Sequence, residues 1–256
     1  MGKLELEYAK FMKKNEWFKT WFNSPFYHIL YQHRDLDEAE AFISKILVDL
    51  APPTEAKIMD LACGKGRHAY FIAKQGYQVY GLDLAPESIQ YAKQHFSLNN
   101  LHFHVHDMRD KFREQDFDYI FNFFTSFGYF ENLADNRKVL ESMDSMLKPG
   151  GTVLIDFLNV PKVVAHLVPE EIKTLDDIDF HLSRKIQDGF IYKDIKFSYE
   201  EQNYAFQERV QALGLDDFKS LIKHTNFSLD SYYGNYLLEP YNEEIADRLI
   251  IVLKKH

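Results

Sequence analysis

With 256 residues, 46% hydrophobic and 16% aromatic, the chain can bury a large core, which excludes a disordered or low-complexity class. Thirty Lys and Arg against 39 Asp and Glu leave a net charge of −9, which argues against a large phosphate-backbone footprint and hence against nucleic acid as a partner. The single cysteine, Cys63, rules out an intrachain disulfide and a cysteine-built metal site.

The N-terminal stretch lacks the continuous apolar core of a signal peptide, and Leu6 stands where a myristoylation signal needs Ser or Thr. Leu249–Leu253 is too short an apolar run to span a bilayer. A soluble, cytoplasmic protein without a membrane partner is expected. Residues 1–35 carry Trp17, Phe18, Trp21, Phe22, Phe26, Tyr27 and Tyr31, and read either as a lid over a ligand or as packing across a domain edge. Asp37 is placed to cap a helix whose apolar stripe is Ala39, Phe42, Ile43, Ile46, Leu47 and Leu50, and Pro52-Pro53 stops it.

The organising stretch follows. Ile58–Leu61 reads as a buried strand that runs into Gly64-Lys65-Gly66, and from Arg67 the pattern is helical. Glycines at such a turn let backbone N–H groups approach a ligand, and the helix N-terminus adds partial positive charge. A second strand, Gln78–Asp83, ends in an acid about 20 residues after the turn, where a nucleotide-binding half-fold holds a ribose. Gly64-x-Gly66-x-x-Ala69 fits the dinucleotide fingerprint, so a nicotinamide or flavin ligand is one reading. Asp60 beside the turn favours another, a ligand carrying a free ammonium, because a carboxylate there repels a pyrophosphate.

Pro86 opens a helix with Ile89, Ala92 and Phe96 inward. The third strand is Leu101–His106, followed by Asp107-Met108-Arg109, and the fourth is Tyr119–Phe124, followed by a loop, Thr125–Phe130. Val139, Leu140, Met143, Met146 and Leu147 mark a helix ended by Lys148-Pro149-Gly150-Gly151, with glycine supplying a left-handed cap before a fifth strand, Thr152–Leu158. Five strands alternating with helices predict a doubly wound, mostly parallel sheet. Residues 170–212 instead alternate polar and apolar, with a hairpin signal at Asp188-Gly189, and predict an antiparallel insert of about three strands. Glu170-Glu171 and Asp176-Asp177 read as a solvated rim. A helix opening near Asp216 or Asp217 and two strands, near Ser228–Leu238 and Asp247–Lys254, complete the pattern.

Asp60-x-Ala62-Cys63-Gly64-x-Gly66 resembles the first motif of class I S-adenosylmethionine-dependent methyltransferases. Asp83, Asp107 after the third strand, the Lys-Pro-Gly-Gly turn and the closing strand pair agree with it, over roughly residues 55–160 and the last forty. The resemblance implies an α/β, seven-stranded Rossmann-like sheet with an antiparallel last strand and a small antiparallel β insert after strand five. It implies one methyltransferase domain, 1–256: an N-terminal aromatic lid (1–35), a cofactor-binding core (36–160), the insert as acceptor cap (161–213), and a C-terminal helix with closing strands (214–256). The implied cofactor is S-adenosyl-L-methionine. Ala62, Gly64 and Gly66 would lie under it, Asp60 near its amino group, Asp83 on the ribose hydroxyls and Asp107 on the adenine amine, with Leu84 and Met108 against the ring. Asn122 and Phe123 would floor the sulfonium. Tyr31 and Arg34, or Arg67, would close on the methionine end, an Arg pairing with its carboxylate.

The implied reaction is in-line SN2 methyl transfer, which depends mainly on placement. His28, Phe124, Phe127, Tyr129, Asn159 and Tyr233 are the candidate acceptor contacts, and no residue is assigned as general base. Asn122-Phe-Phe-Thr125 differs from the Asn/Asp-Pro-Pro-Tyr of base-amine methyltransferases, which favours a small-molecule acceptor. An NAD(P)-dependent oxidoreductase and a non-catalytic cofactor-binding protein are the alternatives. His102, His104 and His106 share one strand face and raise a metal reading, with packing under helices preferred; Asp156 and Asn159 alone do not make the convergent carboxylate site of a catechol-type metal, and no metal is expected. Cys63 reads as a small residue filling a tight turn. Monomer and homodimer both remain open.

Overall fold

A computed structural model describes residues 17–32 and 36–256. The chain divides into two compact units. One comprises 17–32, Gly128–Glu131 and Val163–Ala212, and the other 36–127, Asn132–Lys162 and Leu213–His256.

The larger unit is a seven-stranded sheet. In chain order it contains α3 (Leu36–Leu50), β1 (Lys57–Leu61), α4 (Arg67–Lys74), β2 (Gln78–Asp83), α5 (Pro86–His95), β3 (Leu101–Val105), β4 (Phe117–Asn122), α6 (Leu133–Met146), β5 (Leu147–Leu158), α8 (Leu215–Ile222), β10 (Phe227–Tyr233) and β11 (Arg248–Lys255). The strand order is β10-β11-β5-β4-β1-β2-β3, with β1 to β5 mutually parallel and β11 antiparallel to both neighbours. This is the doubly wound sheet with an antiparallel last strand that the sequence predicts. Local chemistry sets the helix starts. Pro86 occupies the first turn of α5, the Asn132 side chain accepts from the Asp135 N–H to cap α6, and Asp217 accepts from the Gly214 N–H to open α8.

One ring sets how closely α4 lies on the sheet. The core around β1 gathers Phe42, Ile46, Ile58, Ile72, Val79 and Phe103. A Cβ on Gly81 of β2 would lie 2.6 Å from the Phe103 ring, and one on Gly66, the left-handed N-cap of α4, would lie 2.4 Å from it. Asn100 ties the same corner, donating to the carbonyls of Ala73 and Tyr77.

The smaller unit holds α1 (Trp17–Trp21), α2 (Pro25–Leu30), part of α7 (Val160–Ala165), and an antiparallel sheet in the order β6-β7-β8-β9: β6 (Glu170–Leu175), β7 (Ile178–Gln187), β8 (Phe190–Tyr199) and β9 (Gln202–Gln211). Its core joins Phe180, Leu182, Ile195 and Phe197 to Trp21 and Leu30. The described part of the aromatic N-terminal segment therefore packs on this sheet. Glu208 fixes it, accepting from the Trp21 indole N–H at 2.7 Å and from the Tyr31 hydroxyl at 2.6 Å.

Several expectations need correction. The insert has four strands, because Asp176-Asp177 and Glu200-Glu201 make two-residue turns in left-handed conformation just as Asp188-Gly189 does. Helix α6 ends on an extended Leu147, and β5 begins there. The left-handed Gly150 sits in an irregularity between the Phe117↔Leu147 and Tyr119↔Thr152 pairs. Strand β4 stops at Asn122 because Phe124 and Thr125 turn left-handed, and β10 stops at Tyr233. Asp37 lies in the first turn of α3 rather than before it. Among the described residues no helix is long and apolar enough to cross a membrane.

The Phe103 constraint is testable. Gly81→Ala should cost about 1–3 kcal/mol of stability by overpacking. In urea denaturation Gly81→Ala should show positive coupling with Phe103→Leu, since trimming the ring opens the room the new methyl needs. Strict additivity of the two would remove the ring as the cause.

Candidate functional site

The strand order reverses at β1, which has β2 on one side and β4 on the other. Ligands of open α/β sheets bind outside the carboxyl ends of the strands at such a point. The β1–α4 turn stands there with Ala62, Gly64 and Gly66 all at positive φ. The N–H groups of Ala62 and Cys63 both donate to the Leu82 carbonyl, and that of Gly64 donates to Asp83 Oδ2 at 2.8 Å. Asp83 Oδ1 accepts from the Ala85 N–H, so one carboxylate at the end of β2 holds two loops. A Cβ on Gly64 would meet nothing within 4 Å; this glycine borders open space, whereas Gly66 is needed for packing.

Asp60, one residue before the end of β1, is 1% exposed, and its Oδ2 has no hydrogen-bond partner. Burial, then the nearby Asp83 charge, push its carboxyl up to about 7, against a backbone N–H of Ala69 that favours the ionised form. Burial also raises Asp83, while the N–H groups of Ala85, Gly64 and Leu84 pull it down. Asn122, at the end of β4, is fully buried. It donates to the Leu61 carbonyl at 2.8 Å, and its Oδ1 is unpartnered. Two buried acceptors around one turn thus lack donors. Such atoms are rare in folded proteins, and here they suit a ligand with N–H or O–H groups.

The structure brings together Asp60, Ala62, Gly64, Gly66, Asp83 and Asn122. Phe123 is buried among Phe42 and Phe121, with Phe124 beside it against the His68 ring at 4.7 Å, and Arg67 Nε lies 3.1 Å from His68 Nε2. Leu84 and Met108 are half-buried. Asp107 follows β3 with both oxygens held by Arg109, including a 2.5 Å contact from Nη2, so it offers a neutralised carboxylate.

Tyr31, His28 and Tyr129 belong to the smaller unit. There Tyr31 bonds Glu208 and accepts from Lys193 at 2.7 Å, His28 stacks edge-on with Tyr27, and Tyr129 packs on Trp17 and Phe22. Arg34 lies outside the described residues. Phe127 is 0% exposed with its ring against Phe218, and Asn159, also 0% exposed, donates to the Glu243 and Ala246 carbonyls and accepts from the Tyr241 hydroxyl. The Tyr233 hydroxyl is taken by Asp49.

His102 and His104 pack on Tyr80, and His104 and His106 on Phe112. No three His, Cys, Asp or Glu side chains among the described residues are grouped to hold a metal. Burial and the two neighbouring carboxylates push the Cys63 thiol far up, away from nucleophilic use. Sequence reasoning missed His68 and Arg248. Arg248 reaches Asp156 only through the antiparallel pairing of β11 with β5, for which spacing gives no signal.

A family profile described as "Methyltransferase domain" matches residues 54–203. The dTDP-3-amino-3,4,6-trideoxy-alpha-D-glucopyranose N,N-dimethyltransferase of Streptomyces venezuelae is 29% identical over 131 residues, 51% of this chain and 54% of that protein. The chain spans about half the length of the curated relatives it matches. Among solved structures, an S-adenosylmethionine-dependent methyltransferase from Clostridium acetobutylicum aligns with a TM-score of 0.75 at 17% identity, over 89% of this chain and 95% of its own. S-adenosylmethionine-bound CalS10, an amino pentose methyltransferase from Micromonospora echinaspora, aligns with a TM-score of 0.69 at 17% identity, over 91% and 98%. These likenesses show the fold, and the family profile covers more than half of the chain. The chain therefore belongs to the class I S-adenosylmethionine-dependent methyltransferase family.

Proposed function

We propose that the protein transfers a methyl group from S-adenosylmethionine to a small-molecule acceptor by in-line displacement. The observation that carries this reading is the unpartnered Oδ2 of Asp60 beside a glycine turn open at Gly64. A buried carboxylate with a second one nearby attracts an ammonium and repels a pyrophosphate, which separates this site from a dinucleotide site.

Asp60 would take the ligand's ammonium, Asp83 the ribose hydroxyls, and Asp107, with Leu84 and Met108, the adenine. Ala62, Gly64 and Gly66 supply backbone approach, Asn122 Oδ1 and Phe123 the floor, and Arg67 a carboxylate partner. The bound sulfonium supplies an already activated methyl group. The protein's part is to orient donor and acceptor and to exclude water. Acceptor recognition in the larger unit is assigned to Phe124. An amine-bearing sugar is the acceptor class to test first, since relatives named for amino-sugar methylation share this fold. The net charge of −9 supports excluding nucleic acid as acceptor.

Calorimetric titration tests the reading. S-adenosylhomocysteine should bind in the micromolar range and NAD and NADP not at all. Asp83→Ala should weaken binding by at least about tenfold, the loss of a charge-assisted hydrogen-bond pair. NAD binding without S-adenosylhomocysteine binding would reject it.

The Asp60 carboxyl gives a pH signature. Its folded value of about 7 lies above the unfolded value of about 3.9, so the folded state holds a proton that the unfolded state has lost across that window. Stability therefore falls as pH rises from 4 to 7, at up to about 1.4 kcal/mol per pH unit, and the penalty is complete above 7. Asp60→Asn should match the wild-type Tm near pH 4 and exceed it at pH 8. It should also lose the rise in S-adenosylhomocysteine affinity that the wild type shows as Asp60 ionises. A Tm difference constant with pH would contradict this.

A further inference from the structure

The turn after β4 holds a conformation that its own residues resist. Phe124 has φ 56° and Thr125 φ 59°, two consecutive non-glycine residues in the left-handed region, the second of them β-branched. Strain of this kind persists only where surrounding structure over-determines it, and it gathers at functional sites. Asp156, on β5, is the determinant. Its Oδ2 accepts from the Phe124 N–H at 2.8 Å, and its backbone carbonyl accepts from the Thr125 N–H at 3.0 Å. Its Oδ1 accepts from Arg248 Nε at 2.8 Å, and Arg248 Nη2 reaches on to Thr125 Oγ1 at 2.7 Å. The Tyr236 hydroxyl lies 3.4 Å from Oδ2.

Among the described residues, Asp60 and Asp156 are the two carboxylates buried to 1% exposure or less, near the ends of β1 and β5 in one sheet. Asp156 is saturated by partners from its own chain, and Asp60 is not. The clamped turn follows the strand that borders β1 at the reversal of strand order, and its Phe124 ring lies on His68, in the first turn of the helix that the glycine turn opens. Clamp and cofactor turn therefore share one rim.

We propose that Asp156, with Arg248 beside it, is a positioning residue: it locks the Phe124–Thr125 turn so that this turn frames the methyl-donor position. The inference rests on the function proposed above. The aromatic face of Phe124 favours a cation, so the locked turn prefers a positive charge where the transferred methyl stands. The buried ion pair contributes alignment, and its loss costs discrimination at that position more than it costs general cofactor affinity.

The test needs no acceptor. S-adenosylhomocysteine has a neutral sulfur at the reacting centre, while sinefungin carries an ammonium-bearing carbon there. The ratio of their affinities reads the methyl-donor position alone. Calorimetry on wild type, Asp156→Asn, Thr125→Val and Arg248→Lys should show a preference for sinefungin that falls about tenfold in Asp156→Asn, the worth of one charge-assisted hydrogen bond. It should fall less in Thr125→Val, which keeps the shape and leaves the ion pair intact, and Arg248→Lys should retain most of it. S-adenosylhomocysteine affinity should change little in all three. If the ratio stays at the wild-type value while Tm drops, or if both ligands weaken equally, the residue is merely structural and the inference is overturned. Should Asp156→Asn fail to fold, Thr125→Val decides by the same ratio. A wild type that binds neither compound would overturn the proposed function, and this inference with it; normal wild-type binding with an unmoved ratio overturns this inference alone.

Discussion

The cofactor end of the molecule depends on how closely the β1–α4 turn can lie against the sheet, and the Phe103 ring sets that distance. It fills the space where side chains on Gly66 and Gly81 would begin, so helix α4 starts almost in contact with β2 and β3. From that depth the Gly64 N–H reaches the Asp83 carboxylate, which the direct pairing of β1 with β2 already holds near enough to Asp60 for one charge to raise the other. A packing constraint thus becomes an electrostatic one. Interiors are packed tightly enough to transmit such constraints without slack.

The molecule treats its buried carboxylates in two ways. Asp156 meets donors from three parts of the chain and is a finished piece of structure. Asp60 is left one donor short and is unstable for that reason, as binding sites commonly are, because the groups that await a ligand are the ones folding leaves unsatisfied. A ligand ammonium at Asp60 would complete for that carboxylate what Arg248 already does for Asp156.

Much of this was legible in the sequence. The doubly wound sheet follows from alternating periodicities, and Asp60, Gly64, Gly66 and Asp83 come together because a strand, a turn and a strand separate them by little chain. What spacing could not show was long-range pairing. Asp156 and Arg248 lie 92 residues apart and meet only because β11 runs antiparallel to β5. Strand β6 escaped notice because Asp176-Asp177, a turn without glycine, reads as surface charge. Asn159 and Phe127 sat in chain positions suited to a binding site, but nothing local announces that the carbonyls of Glu243 and Ala246, or the ring of Phe218, will bury them.

The placement of Glu208 has a further consequence, for the order in which the protein is made. The Trp21 indole and the Tyr31 hydroxyl bond a carboxylate that follows them by 187 and 177 residues. At a ribosomal pace of about 5–20 residues per second, the aromatic α1 and α2 emerge some ten to forty seconds before the strand that receives them. Throughout that interval the Trp21 indole and the Tyr31 hydroxyl lack the carboxylate that receives them, and the sheet that will cover the segment is still incomplete. Nascent chains stalled before β9 would carry an uncovered aromatic segment, the kind of surface that holding chaperones recognise and that aggregates without them.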